Sequence, residues 1–129
     1  MSYENSGFLF HEKLDKEILE KLYQSDLEFA LEMFIVFTDV VDTEFSSLEN
    51  SINIKDFSQI KQDAHKMKPM FTMVGLPHMT KICQEIETNA LNSDGALVDN
   101  LYASLKNQQE EHFPILLEEI KRIKEYLNK

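Results

Sequence analysis

Cysteine, glycine and proline are scarce in this chain, and each scarcity removes a class of structure. Cys83 is the sole cysteine among 129 residues, so no internal disulfide can form and no cysteine-based zinc site can be built. A reducing compartment suits such a chain. Three glycines and three prolines leave few breaks, which favours long helices over a sandwich of many short strands. Long apolar runs are lacking too. The densest, Phe34-Ile35-Val36-Phe37, meets Asp39 too soon to span a bilayer. The opening Met1-Ser2-Tyr3-Glu4-Asn5 has neither the positive start nor the apolar stretch of a signal peptide. A soluble cytoplasmic protein with no direct membrane insertion is expected.

What is present fits one domain over residues 1–129, with 43% hydrophobic residues to build a single core. The formal charge of −10 repels nucleic acid backbones and anionic membranes, so no nucleic-acid partner is expected. The charge is unevenly spread. Between Lys55 and Lys81, five lysines (Lys55, Lys61, Lys66, Lys68, Lys81) face two acids, Asp56 and Asp63. A basic island in an acidic chain is a place to look for an anion.

Capping residues and apolar spacing divide the chain into helices. Asp15 is suited to cap a short helix to about Gln24, with Ile18, Leu19 and Leu22 on one side. Ser25-Asp26-Leu27-Glu28 has the capping-box pattern and predicts a long helix to about Asn50. Its apolar residues Leu27, Ala30, Leu31, Phe34, Phe37, Val40, Val41, Phe45 and Leu48 recur at three- and four-residue steps. Met33, Ile35 and Val36 widen that stripe, by core packing or by contact with a partner. After a turn at Asn53–Lys55, Asp56-Phe57-Ser58-Gln59 is a second box-like start. The third helix carries Phe57, Ile60, Ala64, Met67, Phe71 and Val74. Gly75 is suited to end it and Pro77 to begin the next, which shows Met79, Ile82, Cys83, Ile86 and Ala90 on one side. Asn92-Ser93-Asp94-Gly95 reads as a loop. A last helix from about Ala96 to Leu127 follows, which Pro114 should kink or divide. The expected fold is all-α: an antiparallel up-and-down four-helix bundle with an additional short N-terminal helix.

The third helix holds the residues suited to chemistry. With its core stripe on Ala64, Met67 and Phe71, His65 lies roughly 130° away and faces solvent. Lys68 stands one turn above it, Thr72 two turns above, and Lys61 one turn below. Imidazole in water is largely neutral at neutral pH, and neutral imidazole attacks phosphorus to form a covalent intermediate. A lysine at i+3 reaches a phosphoryl group held on that ring.

This segment resembles the active-site helix of the histidine-containing phosphotransfer (HPt) family. The family pattern places lysine at +3 from the histidine, usually glycine at +4, a small residue at +7 and often glycine near +10. The corresponding residues here are His65, Lys68, Pro69, Thr72 and Gly75. Leu76-Pro77-His78-Met79 and Ile82-Cys83-Gln84-Glu85-Ile86-Glu87 are similar to the family's next helix. The resemblance implies a four-helix bundle with His65 phosphorylated midway along one helix. It also implies that the histidine accepts the phosphoryl group from a receiver-domain aspartate and passes it to another receiver. Lys68 would stabilise that group, and the module would have no ATP-dependent kinase activity of its own. The magnesium ion of the reaction would sit among the receiver's carboxylates, leaving this chain with no cofactor and no metal ligands.

Two positions depart from the pattern. Pro69 replaces the glycine, and its ring collides with the His65 carbonyl while removing that carbonyl's helical donor. A mid-helix proline costs about 3 kcal/mol, and a local bend after His65 is expected. Thr72 is larger than the usual small residue, and could hydrogen-bond a phosphoryl oxygen or a carbonyl one turn back. Lys61 and Lys66 could steer acidic receivers or remain solvated charges. Met70 and Met73 fall off the stripe and could form an adaptable docking surface with Pro69. His11, His78 and His112 are read as structural or solvent-facing, and Cys83 as a packed small hydrophobe. Two other functions fit the same shape: the phosphoacceptor part of a histidine kinase, and a non-catalytic helical adaptor that binds receivers. Kinase acceptor helices also have a proline shortly after the histidine, but usually an acid at the position of Lys66. The bundle needs no partner to close its core, so a monomer is expected.

Overall fold

A computed structural model describes residues 7–128, so the opening pentapeptide discussed above lies outside the described residues. Five helices follow in order: α1 Lys16–Tyr23, α2 Leu27–Asn53, α3 Phe57–Met73, α4 Pro77–Leu91 and α5 Gly95–Leu127. Helix α2 packs against α3 and α5, and α4 packs against the same two, which closes a ring of four. Tight connections make successive members antiparallel. The short α1 leans on α2 and α3. The all-α bundle with a short N-terminal helix is therefore the observed architecture. Among the described residues, no helix is long and apolar enough to cross a membrane.

Aspartates start four of the helices. Asp15, Asp26, Asp56 and Asp94 each accept a hydrogen bond from the backbone N–H three residues on, at 3.0–3.1 Å. Each satisfies a donor that the first turn leaves without a partner. Helix α2 is thus capped by Asp26 and not by the Ser25 of the capping-box reading. It also runs three residues past the expected Asn50, to Asn53.

The ends follow a shared geometry. At the close of α3, Leu76 N–H bonds the Phe71 carbonyl at 2.9 Å and Gly75 N–H bonds that of Thr72 at 3.1 Å. This paired closure needs a left-handed residue, and Gly75 supplies it with φ +77°. Space excludes other residues as well, because a Cβ there would lie 2.9 Å from Leu19 Cδ1 and 3.1 Å from Asp15 N. The close approach lets the Gly75 carbonyl accept Asp15 N–H at 2.8 Å, which ties α1 to the α3–α4 turn.

The core is rich in phenylalanine. Phe34, Phe37 and Phe71 are fully buried, and Phe71 meets the edges of Phe37 and Phe45 at ring-centre distances of 5.6 and 6.3 Å. Val40 and Leu22 depart from their expected stripes and are exposed. The 105–116 stretch of α5, which lacks an apolar stripe in sequence, turns Gln109 and His112 inward. The segment before α1 adds Phe8, Phe10 and Leu14 to the core. Phe10 stacks on Phe34, and Phe8 meets Tyr126. The fully buried Glu119 anchors this strap by accepting His11 N–H at 2.8 Å and pairing with Arg122.

Neither proline divides its helix. Helix α3 runs through Pro69, and α5 continues from Gly95 to Leu127 through Pro114. In each case packing along the flanking turns outweighs one lost hydrogen bond.

Candidate functional site

Helix α3 presents His65 on its outer side, with 68% of the side chain exposed, while Ala64 and Met67 anchor the opposite side in the core. The imidazole Nδ1 lies 3.1 Å from Glu87 Oε2 on α4. A carboxylate can only accept, so Nδ1 carries the proton of this pair, and in the neutral ring the lone pair is then on Nε2. Lys68 Nζ is 2.8 Å from the other Glu87 oxygen and donates a hydrogen bond to Gln84 Oε1 at 2.7 Å. One carboxylate therefore spans the histidine and the lysine. Burial by itself would raise the Glu87 carboxyl. The hydrogen bond and charge of Lys68, then those of His65, outweigh it and hold the group below its ordinary range.

These contacts form three rungs across the α3–α4 hairpin. Thr72 meets Thr80, Lys68 meets Gln84 and His65 meets Glu87, at 2.9, 2.7 and 3.1 Å. The two members of every rung are equidistant from Leu76 along the chain. The tight Gly75–Leu76 turn sets this register, and helical periodicity repeats it at each turn. Thr80 also donates to the Lys68 carbonyl at 3.0 Å, so the Thr72 hydroxyl is the donor to Thr80. Thr72 thus bonds across to α4, and neither to a carbonyl one turn back nor towards the open side of the imidazole.

The other residues singled out in sequence are arranged around this centre. Lys61, with Gln62, His65 and Glu87, lines a shallow recess of about 280 Å³. Lys66 points to α2 and pairs with Glu44 Oε2 at 3.2 Å. Pro69 is exposed one turn above His65, and Met70 and Met73 are half-buried. Along α2, Phe29, Met33, Val36 and Val40 follow each other at steps of four, three and four, so they share one flank. Phe29, Val36 and Val40 are exposed, whereas Ile35 packs against the core. The flank continues one turn on to Glu44, the partner of Lys66, so it borders α3. Its far end is tied in by the Tyr23–Phe29 ring contact and by Tyr23 Oη donating to the Met73 carbonyl at 2.8 Å.

Glu87 and Gln84 were not singled out from the sequence. Their signal is the mirrored spacing about Leu76, which becomes informative only once the hairpin register is known. His78 and His112 form a separate pair, with ring centres 5.0 Å apart and His112 buried. His11 lies in the strap, where its ring accepts Lys13 N–H at 3.0 Å. Burial pushes the Cys83 thiol up to about 12, with smaller opposing effects of Lys68 and Glu87, so it is a packed thiol under the site. Among the described residues, no cluster of three or more His, Cys, Asp or Glu side chains could hold a metal.

An exposed histidine midway along one helix of a four-helix bundle, with a lysine one turn on, is the arrangement of a phosphotransfer domain. Comparison with known proteins agrees. The Hpt domain family model matches residues 32–126, and the chain belongs to that family. It is also similar to the phosphorelay intermediate protein rdeA of Dictyostelium discoideum, with 26% identity over 104 residues, covering 81% of this chain. The aligned part is 41% of that protein, so the chain matches less than half of its relative's length. No solved structure matches.

Proposed function

We propose that this chain is a relay module in which His65 Nε2 accepts a phosphoryl group from a receiver-domain aspartate and passes it to another receiver. The observation that carries the reading is the His65–Glu87–Lys68 arrangement: a solvent-facing nucleophile, proton-fixed at Nδ1, with a cation one turn away. Phosphoryl transfer needs alignment and charge neutralisation more than covalent chemistry from the protein. Lys68 supplies part of the neutralisation. The receiver supplies the rest, including its magnesium ion, so this chain needs no cofactor of its own.

The partner surface in this reading is the exposed α2 flank (Phe29, Val36, Val40) continued over Met73 and Pro69 to His65, with Lys61 and Lys66 at its edge. An apolar patch beside a small basic rim suits a receiver whose phosphorylation site is acidic. In this reading the module acts as a monomeric cytoplasmic carrier. The test is transfer from a phosphorylated receiver to the native chain and to His65→Gln. Acid-labile label on the native chain alone is the expected result. Receiver binding without label, unchanged in His65→Ala, would instead establish an adaptor.

A further inference from the structure

Glu87 does more in this geometry than orient a ring. We infer that its negative charge keeps the proton on Nδ1 after His65 is phosphorylated, and that this retained proton keeps the phosphoryl group transferable. The inference rests on the relay reading above and concerns the regulation of that same site.

The chemistry sets the requirement. Neutral His65 attacks through Nε2, the P–Nε2 bond forms, and the P–O bond to the donor aspartate breaks with its electron pair going to the carboxylate. No proton moves, so the ring still holds Nδ1–H and is now a cation. Onward transfer reverses these changes: an incoming aspartate takes the phosphoryl group and the ring departs as neutral imidazole. If Nδ1 loses its proton to water in between, the departing ring would be an imidazolate anion, a far poorer leaving group. The phosphoryl group would then be stored and not passed on.

The structure places one anion where it opposes that loss. Glu87 Oε2 is 3.1 Å from Nδ1, and the carboxyl is held ionised by Lys68 at 2.8 Å. The other charged groups near the ring do not replace it. On α3, Lys61 and Lys68 are cations, which favour loss of the proton. On α2, Glu44 is engaged by Lys66. On α4, Cys83 is a buried neutral thiol and Gln84 is uncharged. Glu87 is therefore the anion that offsets two neighbouring lysines. Its role is that of a positioning residue that also fixes a protonation state, as a buried carboxylate does for a catalytic imidazole in acyl transfer.

Glu87→Gln separates charge from geometry, since an amide oxygen still accepts Nδ1–H, whereas Glu87→Ala removes both. The native chain, Glu87→Gln and Glu87→Ala are each phosphorylated from a receiver, and onward transfer to fresh receiver is timed between pH 6 and 9. In the native chain the rate falls only at the alkaline end. In Glu87→Gln the falling limb moves to lower pH by about one unit, so transfer near pH 8 is about threefold slower and the gap widens towards about tenfold at the alkaline end. In parallel, the ³¹P shift of each phosphorylated protein, titrated over the same range, reports loss of the Nδ1 proton and moves with the rate. Superimposable pH profiles and ³¹P titrations for native chain and Glu87→Gln overturn the inference while leaving the relay intact. Absence of label on the native chain overturns the relay itself. Circular dichroism of each variant shows whether it is folded, and the ³¹P titration reads proton retention independently of receiver docking.

Discussion

Lys68 shows how much work a single side chain carries here. At rest its ammonium is shared between Glu87 and Gln84, at 2.8 and 2.7 Å. To meet a phosphoryl group it has only to exchange the neutral Gln84 oxygen for a phosphoryl oxygen, keeping its contact with Glu87. Lys68→Ala is expected to slow transfer to His65 about tenfold to a hundredfold, the usual range for one hydrogen bond to a charged group, with unchanged helical content. Single-turnover labelling measures this, and native-like rates would assign neutralisation to the receiver alone. The same pair makes a small contribution to folding. The Glu87 carboxyl is depressed below its ordinary 4.5 in the folded chain. Its stabilisation is therefore fully present above that value and is lost as pH falls through the lower folded value. Both side chains are partly solvated, so the effect is modest. Urea midpoints of native chain and Glu87→Gln are expected to differ at pH 7 and to converge as the pH falls through the depressed Glu87 range.

At the scale of elements, α3 is the helix under conflict. Its inner side packs Ile60, Ala64, Met67 and Phe71 in the core, yet Pro69 removes the donor that the His65 carbonyl would otherwise meet. Packing wins and the helix stays continuous. The cost persists all the same, so Pro69→Ala is expected to raise stability by about 1–3 kcal/mol. An unchanged unfolding midpoint would mean that the neighbouring turn already relieves the strain. The α3–α4 hairpin is the element that assembles the site, because its turn at Gly75 sets all three cross-helix rungs at once.

For the whole molecule, the notable feature is how the bundle is closed. The family match begins at residue 32, yet Phe8, Phe10, Leu14 and Leu19 all lie in the core before it. The strap touches α2 and α5 through Phe34, Glu119, Arg122 and Tyr126 and makes none of the contacts that hold His65. Phe10→Ala is expected to cost about 3–5 kcal/mol, as emptying an aromatic core site does, while the folded fraction still accepts label on His65. Loss of labelling in the folded variant would show that the strap reaches the site through the bundle.

Sequence alone determined the helix count, their approximate limits, the inward phenylalanines and the exposed His65 with Lys68 one turn on. These depend on local rules: caps act over three residues, and helical periodicity assigns each side chain a direction. Tertiary structure decided what no local rule contains. It made Val40 a surface residue and Gln109 a buried one, because neighbours and not periodicity set the width of each buried face. It kept α3 and α5 whole through their prolines, because packing over many residues exceeded one missing bond. And it placed Glu87 beside His65, since a contact between helices depends on the register of the turn joining them, which is fixed only when both helices pack.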